Sequence, residues 1–160
     1  SHFINLMNRF PEQYELLRED LDGRIDNAIE EVLRYTSTTT NFRRTTTAAT
    51  EIGGVPVEKG AKILMSYAGA NRDPDVFEDP HQFDITRQNA RKHLAFGTGP
   101  HVCIGARLAR LQLKALLKQI VTRLPDIRVV EAEWLRSIWF NAIIRMPVEF
   151  TPEIQKEGST

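Results

Sequence analysis

The stretch FGTGPHVCIGARLAR, residues 96–110, holds the one cysteine of the chain, Cys103, between a glycine-bearing loop and a run with helical periodicity. A thiol there has two kinds of chemistry open to it: as thiolate it attacks an electrophile or binds a metal. Unpaired backbone N–H groups at a helix start, with the positive end of the helix dipole, favour the thiolate. Gly97 and Gly99 permit positive φ and let a flat ligand lie close to the loop. Attack requires a base, and His101, two positions away in an extended loop, is poorly placed to form a dyad. Metal ligation is therefore the preferred reading. His93, His101 and Cys103 would offer zinc three ligands and no fourth. Elsewhere, Glu31 and Arg34 stand three apart in EEVLR, so on a helix they share a face and can form a forked ion pair.

The elements that carry these residues read as follows. FINLMNRF, residues 3–10, has the pattern of an apolar helix, and Pro11 suits the first turn of the next. Asp22 or Asp26 can open a third helix, whose apolar face is Ile25, Ile29, Val32 and Leu33. From Ser37 the texture turns to threonine, which favours strands; Gly53-Gly54 marks a turn, and residues 62–68 form a further candidate strand. ANRDPDVFEDPHQFDITR reads as a long ordered meander anchored by Phe77 and Phe83. Residues 104–124 form the clearest helix, with Leu108, Leu111, Ala115, Leu117, Ile120 and Leu124 as its apolar set and Pro125 as its stop. DIRVV and AIIRMPVEF suit short strands, and residues 153–160 read as a frayed tail.

Composition bounds the alternatives. The chain has 160 residues, enough for one core, and its 21 Lys plus Arg balance its 21 Asp plus Glu. Net charge therefore predicts neither nucleic acid nor a membrane surface as partner. One cysteine excludes an internal disulfide and suits a reducing, cytoplasmic setting. No run approaches the roughly 18 apolar residues of a membrane span.

Phe96-x-x-Gly99-x-x-x-Cys103-x-Gly105, followed by a helix, resembles the haem-binding loop of the cytochrome P-450 family. Glu31-x-x-Arg34 resembles that family's E-x-x-R motif, and the meander resembles the segment preceding the cysteine loop in bacterial members. The resemblance runs from about Phe3 to Phe150 and implies a mainly α fold with small β-sheets (α+β), the C-terminal portion of the P-450 fold, over residues 1–152. It implies haem b (iron protoporphyrin IX) with Cys103 as axial thiolate ligand, whose electron donation favours O–O cleavage. It also implies a monooxygenase that inserts one atom of O2 into a small organic substrate, with electrons from a ferredoxin-like donor.

Residue by residue, the resemblance makes Arg44 a partner of a haem propionate, with Arg43 as fallback, and His101 a second propionate partner. Phe96 would pack beside the thiolate, and Gly97, Gly99 and Gly105 would shape the loop. Thr39 to Phe42 would line the distal pocket with Thr40 pointing inward, and Trp139 and Phe140 would line it from the other side. Arg107, Arg110, Lys114 and Lys118 fall on one side of the long helix, a cationic stripe that Arg91 and Lys92 would extend toward an acidic donor. Two positions depart from the pattern: Gln82 stands where many relatives have an arginine completing the Glu–Arg network, and Ala142 where glycine is common. The family's distal acid–alcohol pair would precede Ser1, so the expectation is a chain lacking an N-terminal half. Two further readings follow: a non-catalytic haem-binding module, or a haem-free fold that dimerises over exposed apolar surface.

Overall fold

The computed structural model describes residues 1–151; the expected tail lies outside the described residues. The fold is mixed, with helices forming the body and small two-stranded sheets at its edges. Helices α1 (His2–Arg9) and α2 (Pro11–Glu19) meet at Pro11, which takes the first helical position, where its missing N–H costs nothing. Asp20 rather than Asp22 or Asp26 opens α3 (Leu21–Thr36), its carboxylate accepting from the Gly23 N–H at 3.0 Å.

Phe3, Leu6 and Met7 from α1, Leu17 from α2, and Ile25, Ala28, Ile29 and Val32 from α3 form the core with Phe83 and Ile85 of the meander. The long helix α5 (Ala106–Arg123) closes this core with Leu117 and Val121. It begins two residues later than its apolar pattern suggests.

The side that α5 buries also differs from the leucine count. Leu108 and Leu111 are 58% and 66% exposed, because the helix is rotated to set its cations against α3. Arg110 meets Glu30, Lys114 meets Asp26 and Lys118 meets Asp22, a ladder in which one helix ascends as the other descends. The acids at 22, 26 and 30 and the cations at 110, 114 and 118 both recur every four residues, so each set lies along one helix face.

Strand β1 (Asn41–Thr45) pairs antiparallel with β4 (Lys62–Ser66), and β2 (Thr50–Ile52) with β3 (Val55–Val57) across Gly53-Gly54. The chain turns from β4 directly into a short helix, α4 (Tyr67–Ala70), where Ser66 accepts from the Gly69 N–H. Beyond α5, β5 (Arg128–Val129) pairs with β8 (Val148–Glu149), and β6 (Glu133–Trp134) with β7 (Ile143–Arg145). AIIRMPVEF therefore divides into two strands in separate sheets, and β6 is an element its short, mixed sequence does not announce. Among the described residues, no helix is long and apolar enough to cross a membrane.

Candidate functional site

Arg34 is fully buried, and each of its five N–H donors has a partner. Nε and Nη2 hold the two Glu31 carboxylate oxygens at 2.7 Å, and the rest reach the carbonyls of Asn71, Pro80 and Gln82 at 2.8–3.0 Å. A planar fork can serve two carboxylate oxygens and three carbonyls at once, which a lysine could not. Its guanidinium also lies 5.2 Å from the Phe77 ring centroid. The meander is thus gathered around one cation.

The third member of this network is Arg87. Its Nε approaches Glu31 at 3.3 Å, and its Nη groups donate to the carbonyls of Glu78, Asp79 and Gln82. Gln82, where the family pattern has arginine, contributes its backbone carbonyl instead. Arg87 was legible only as the basic residue closing DITR, since nothing local links it to a glutamate 56 positions earlier.

The cysteine loop hangs from the same framework. The Asn71 side chain donates to Ser37 Oγ at the end of α3 and accepts from the Leu94 N–H at 2.6 Å, so it ties that helix end to the start of the loop. Gly97 and Gly99 take φ of +71° and +67°. At Gly97 a side chain would meet the Tyr67 hydroxyl at 3.2 Å, so conformation and space both call for glycine. A 3₁₀ turn spans Gly99–His101, and the Cys103 N–H closes the loop on the Phe96 carbonyl at 2.8 Å. Cys103 is an exposed free thiol, three residues before α5, and a Cβ on Gly105 would lie 3.8 Å from its sulfur.

An open cleft of about 780 Å³ lies over this loop. It is lined by Cys103, His101, Phe96 and Gly97 of the loop together with Leu33, Thr38, Thr39, Phe42 and Tyr67. A soft sulfur ligand reaches an apolar space, the donor set and surroundings that suit an iron porphyrin.

Arg44 does not line the cleft but lies beside a residue that does, its guanidinium 6.0 Å from the Phe42 ring centroid, while Phe42 packs on Tyr67 at 5.8 Å. The neighbouring Arg43 alternates to the other face of β1. The pocket residues sit differently from the expectation. Thr40 does not line the cleft: its hydroxyl donates to the Ile138 carbonyl at 2.7 Å, and Thr38 and Thr39 take the lining positions. Trp139 and Phe140 are 41% and 49% exposed and are not among the residues that line the cleft; their backbone joins its border, Phe140 bridged to Thr39 and the Trp139 carbonyl accepting from the Thr40 N–H. The Ala142 carbonyl accepts from the Leu135 N–H, an ordinary backbone bond in the late turn.

One further expectation needs correction, and the alternative of a zinc site is answered at His93. Arg110, Lys114 and Lys118 do not present a free cationic stripe, because all three are paired with acids of α3; Arg107 and Lys92 are exposed, and Arg91 is exposed while lying 3.9 Å from Glu30. His93 is no candidate zinc ligand: its ring is buried, with Nε2 3.0 Å from Glu30 and Nδ1 accepting from the Ala95 N–H. Among the described residues, no three His, Cys, Asp or Glu side chains are grouped to hold a metal ion.

Glu30, buried beside the cysteine loop, is a second residue that sequence reasoning missed. Burial alone would raise its carboxyl, but hydrogen bonds from His93 and Arg110 and the Arg110 charge outweigh this and hold it at about 2. Arg110 is correspondingly raised, first by its hydrogen bonds to Glu30.

A helical core with a clamped Glu–Arg pair and a cysteine loop opening on an apolar cleft defines a haem-thiolate type of framework. The cytochrome P450 family model matches residues 25–125, and the chain belongs to this family. The steroid C26-monooxygenase of Mycolicibacterium smegmatis is 40% identical over 153 residues, covering 94% of this chain and 35% of that protein. Linalool 8-monooxygenase of Pseudomonas putida is 35% identical over 96% of this chain and 37% of its own length. The solved structure of cytochrome P450 CREJ superposes with a TM-score of 0.89 at 36% identity, covering 94% of this chain and 38% of that one. The chain spans a little over a third of the length of these relatives.

Proposed function

We propose that this chain provides the thiolate-ligand side of a haem monooxygenase acting on a small apolar organic molecule. The observation that carries this reading is the exposed Cys103 sulfur on a glycine-shaped loop facing an apolar cleft. Haem, when bound, would supply the iron centre at which dioxygen is activated. Cys103 would supply the thiolate that holds its iron, and Gly97, Gly99 and Gly105 would keep the loop low enough for a flat ring to lie across it. Phe96 would shield the sulfur from water, while His101 and Arg44 would hold the propionates, the latter through a charge-assisted fork. Thr38, Thr39 and Phe42, joined by the backbone of Thr40, Trp139 and Phe140, would border the substrate space.

Steroids and linalool, after which two relatives are named, are apolar molecules with few polar groups, and the cleft lining suits that class. Of the proposed donor face, Arg107 with Arg91 and Lys92 would meet an acidic ferredoxin-like protein, while Arg110, Lys114 and Lys118 serve the fold. A reducing compartment such as the cytoplasm would keep the single thiol free.

The test is spectroscopic. The reduced carbon monoxide complex of the haem-loaded chain is expected to show the red-shifted Soret band of thiolate ligation, and Cys103→Ser is expected to abolish it. An unchanged band in the serine variant would overturn the assignment.

A second reading is supported by the exposure of Ile104, just ahead of α5, and of Leu108, Leu111 and Leu116 on it. It makes the isolated chain a haem-binding or dimerising module without turnover of its own. Coupled hydroxylation by the chain alone would refute it, and sedimentation with and without haem would show whether the apolar side joins two copies.

A further inference from the structure

The meander clamp explains Glu31, but it leaves unused the second buried carboxylate beside it. Glu30 is 1% exposed and faces the cysteine loop. Arg110 grips it bidentately at 2.6 and 2.8 Å, and His93 Nε2 lies 3.0 Å from one of its oxygens. Because His93 Nδ1 accepts from the Ala95 N–H, Nε2 carries the proton and donates to Glu30. Both partners then reach the same ring: the Arg110 guanidinium lies 4.7 Å from the Phe96 centroid, and the His93 ring 5.9 Å from it. The Phe96 carbonyl in turn accepts from the Cys103 N–H at 2.8 Å.

We propose that Glu30, His93 and Arg110 are positioning residues for the cysteine ligand: they fix the Phe96 ring, and through the Phe96 carbonyl they fix the backbone that carries the Cys103 sulfur. The stacked guanidinium restrains Phe96 by cation–π attraction, and its bidentate bonds restrain the guanidinium. A glycine loop has little rigidity of its own, so its geometry must come from such supports. Arg110 thus acts inward on the ligand loop rather than outward on a partner.

The role of the cluster toward haem rests on the haem-thiolate reading, whereas its hold on the loop does not. Hydrogen exchange of the full chain without haem, read by mass spectrometry, tests the hold. Glu30→Gln and Arg110→Ala are expected to accelerate exchange across residues 96–105 by about tenfold or more relative to α1 and α2. Arg110→Lys, which keeps the charge and loses the planar stack, is expected to fall between. Lys114→Ala, one turn along the ladder, is expected to leave the loop's exchange unchanged.

Acceleration spread uniformly over the chain, or none in the loop, would overturn the proposal. Should Glu30→Gln fail to fold, Arg110→Lys carries the same comparison. In the haem-loaded protein the same variants are expected to show a reduced share of the thiolate-type carbon monoxide band with Cys103 still present. A full band in a variant whose loop has loosened overturns the positioning role. Loss of haem-thiolate chemistry itself is read separately, by Cys103→Ser.

Discussion

Glu30 and Glu31 are neighbours on α3, both buried, yet they organise opposite sides of the molecule. Glu31 turns to the meander, where Arg34 and Arg87 enclose it and bind five different backbone carbonyls between them. Glu30 turns to the cysteine loop, where its partner Arg110 keeps a side chain 35% exposed. The first cluster is sealed and consists mostly of bonds to backbone; the second is open at one edge and ends on an aromatic ring. Adjacent residues on a helix point about 100° apart, so two like charges can be buried side by side without sharing a partner. The difference teaches that the same residue type holds a segment shut on one side and supports a ligand loop on the other.

The largest expected break in this comparison is Arg34→Ala. It leaves Glu31 buried with only Arg87 and the Asp84 N–H as donors and strips the Arg34 donors from the carbonyls of Asn71 and Pro80, so a loss of about 3–5 kcal/mol is expected in chemical denaturation. The same substitution tests whether the meander orders independently of the cysteine loop.

Acid provides the next test. The Glu30 carboxyl is held at about 2 in the folded chain against 4.5 for the unperturbed group, so the unfolded chain binds the proton more readily. Its contribution is present above pH 4.5 and is lost as the pH falls toward 2. A shift of this size corresponds to about 3 kcal/mol. Stability measured across that range is expected to decline in the parent chain and to decline less steeply in Glu30→Gln, where Asp22 and Asp126, also lowered, still titrate.

A smaller effect is expected at the loop. Gly97→Ala places a side chain at φ +71° against the Tyr67 hydroxyl, and a loss of about 1–2 kcal/mol is expected in the denaturant midpoint. The smallest belongs to Lys114→Ala. Lys114 and Asp26 are 36% and 53% exposed, so screening leaves about 0.5 kcal/mol or less, read as a small shift in the thermal midpoint that vanishes in high salt.

How much could be read from the chain alone follows from distance along it. Glu31 and Arg34 are three residues apart, and helical geometry alone places them together. The spacing from Phe96 to Gly105 marks the cysteine loop because its chemistry and its turns are local. Phe77 and Phe83 are buried anchors, as large apolar residues in a polar meander should be. The buried side of α5 was not legible, since leucines occur around most of that helix. Its rotation is decided by a charge ladder whose rungs join residues 80 to 96 positions apart. Thr40 shows the same limit at the cleft, where alternation along a strand cannot reveal that the Ile138 carbonyl takes its hydroxyl.

By itself, then, the sequence determined the cysteine with its glycines, the Glu–Arg pair, and the order of helices and hairpins, all products of local sterics and short spacing. Only the tertiary structure decided that Arg87 completes the clamp and that His93 and Arg110 converge on Glu30 beneath Phe96. The physical reason is that a buried charge must find partners wherever the fold brings donors within about 3 Å, and that proximity belongs to packing rather than to sequence order.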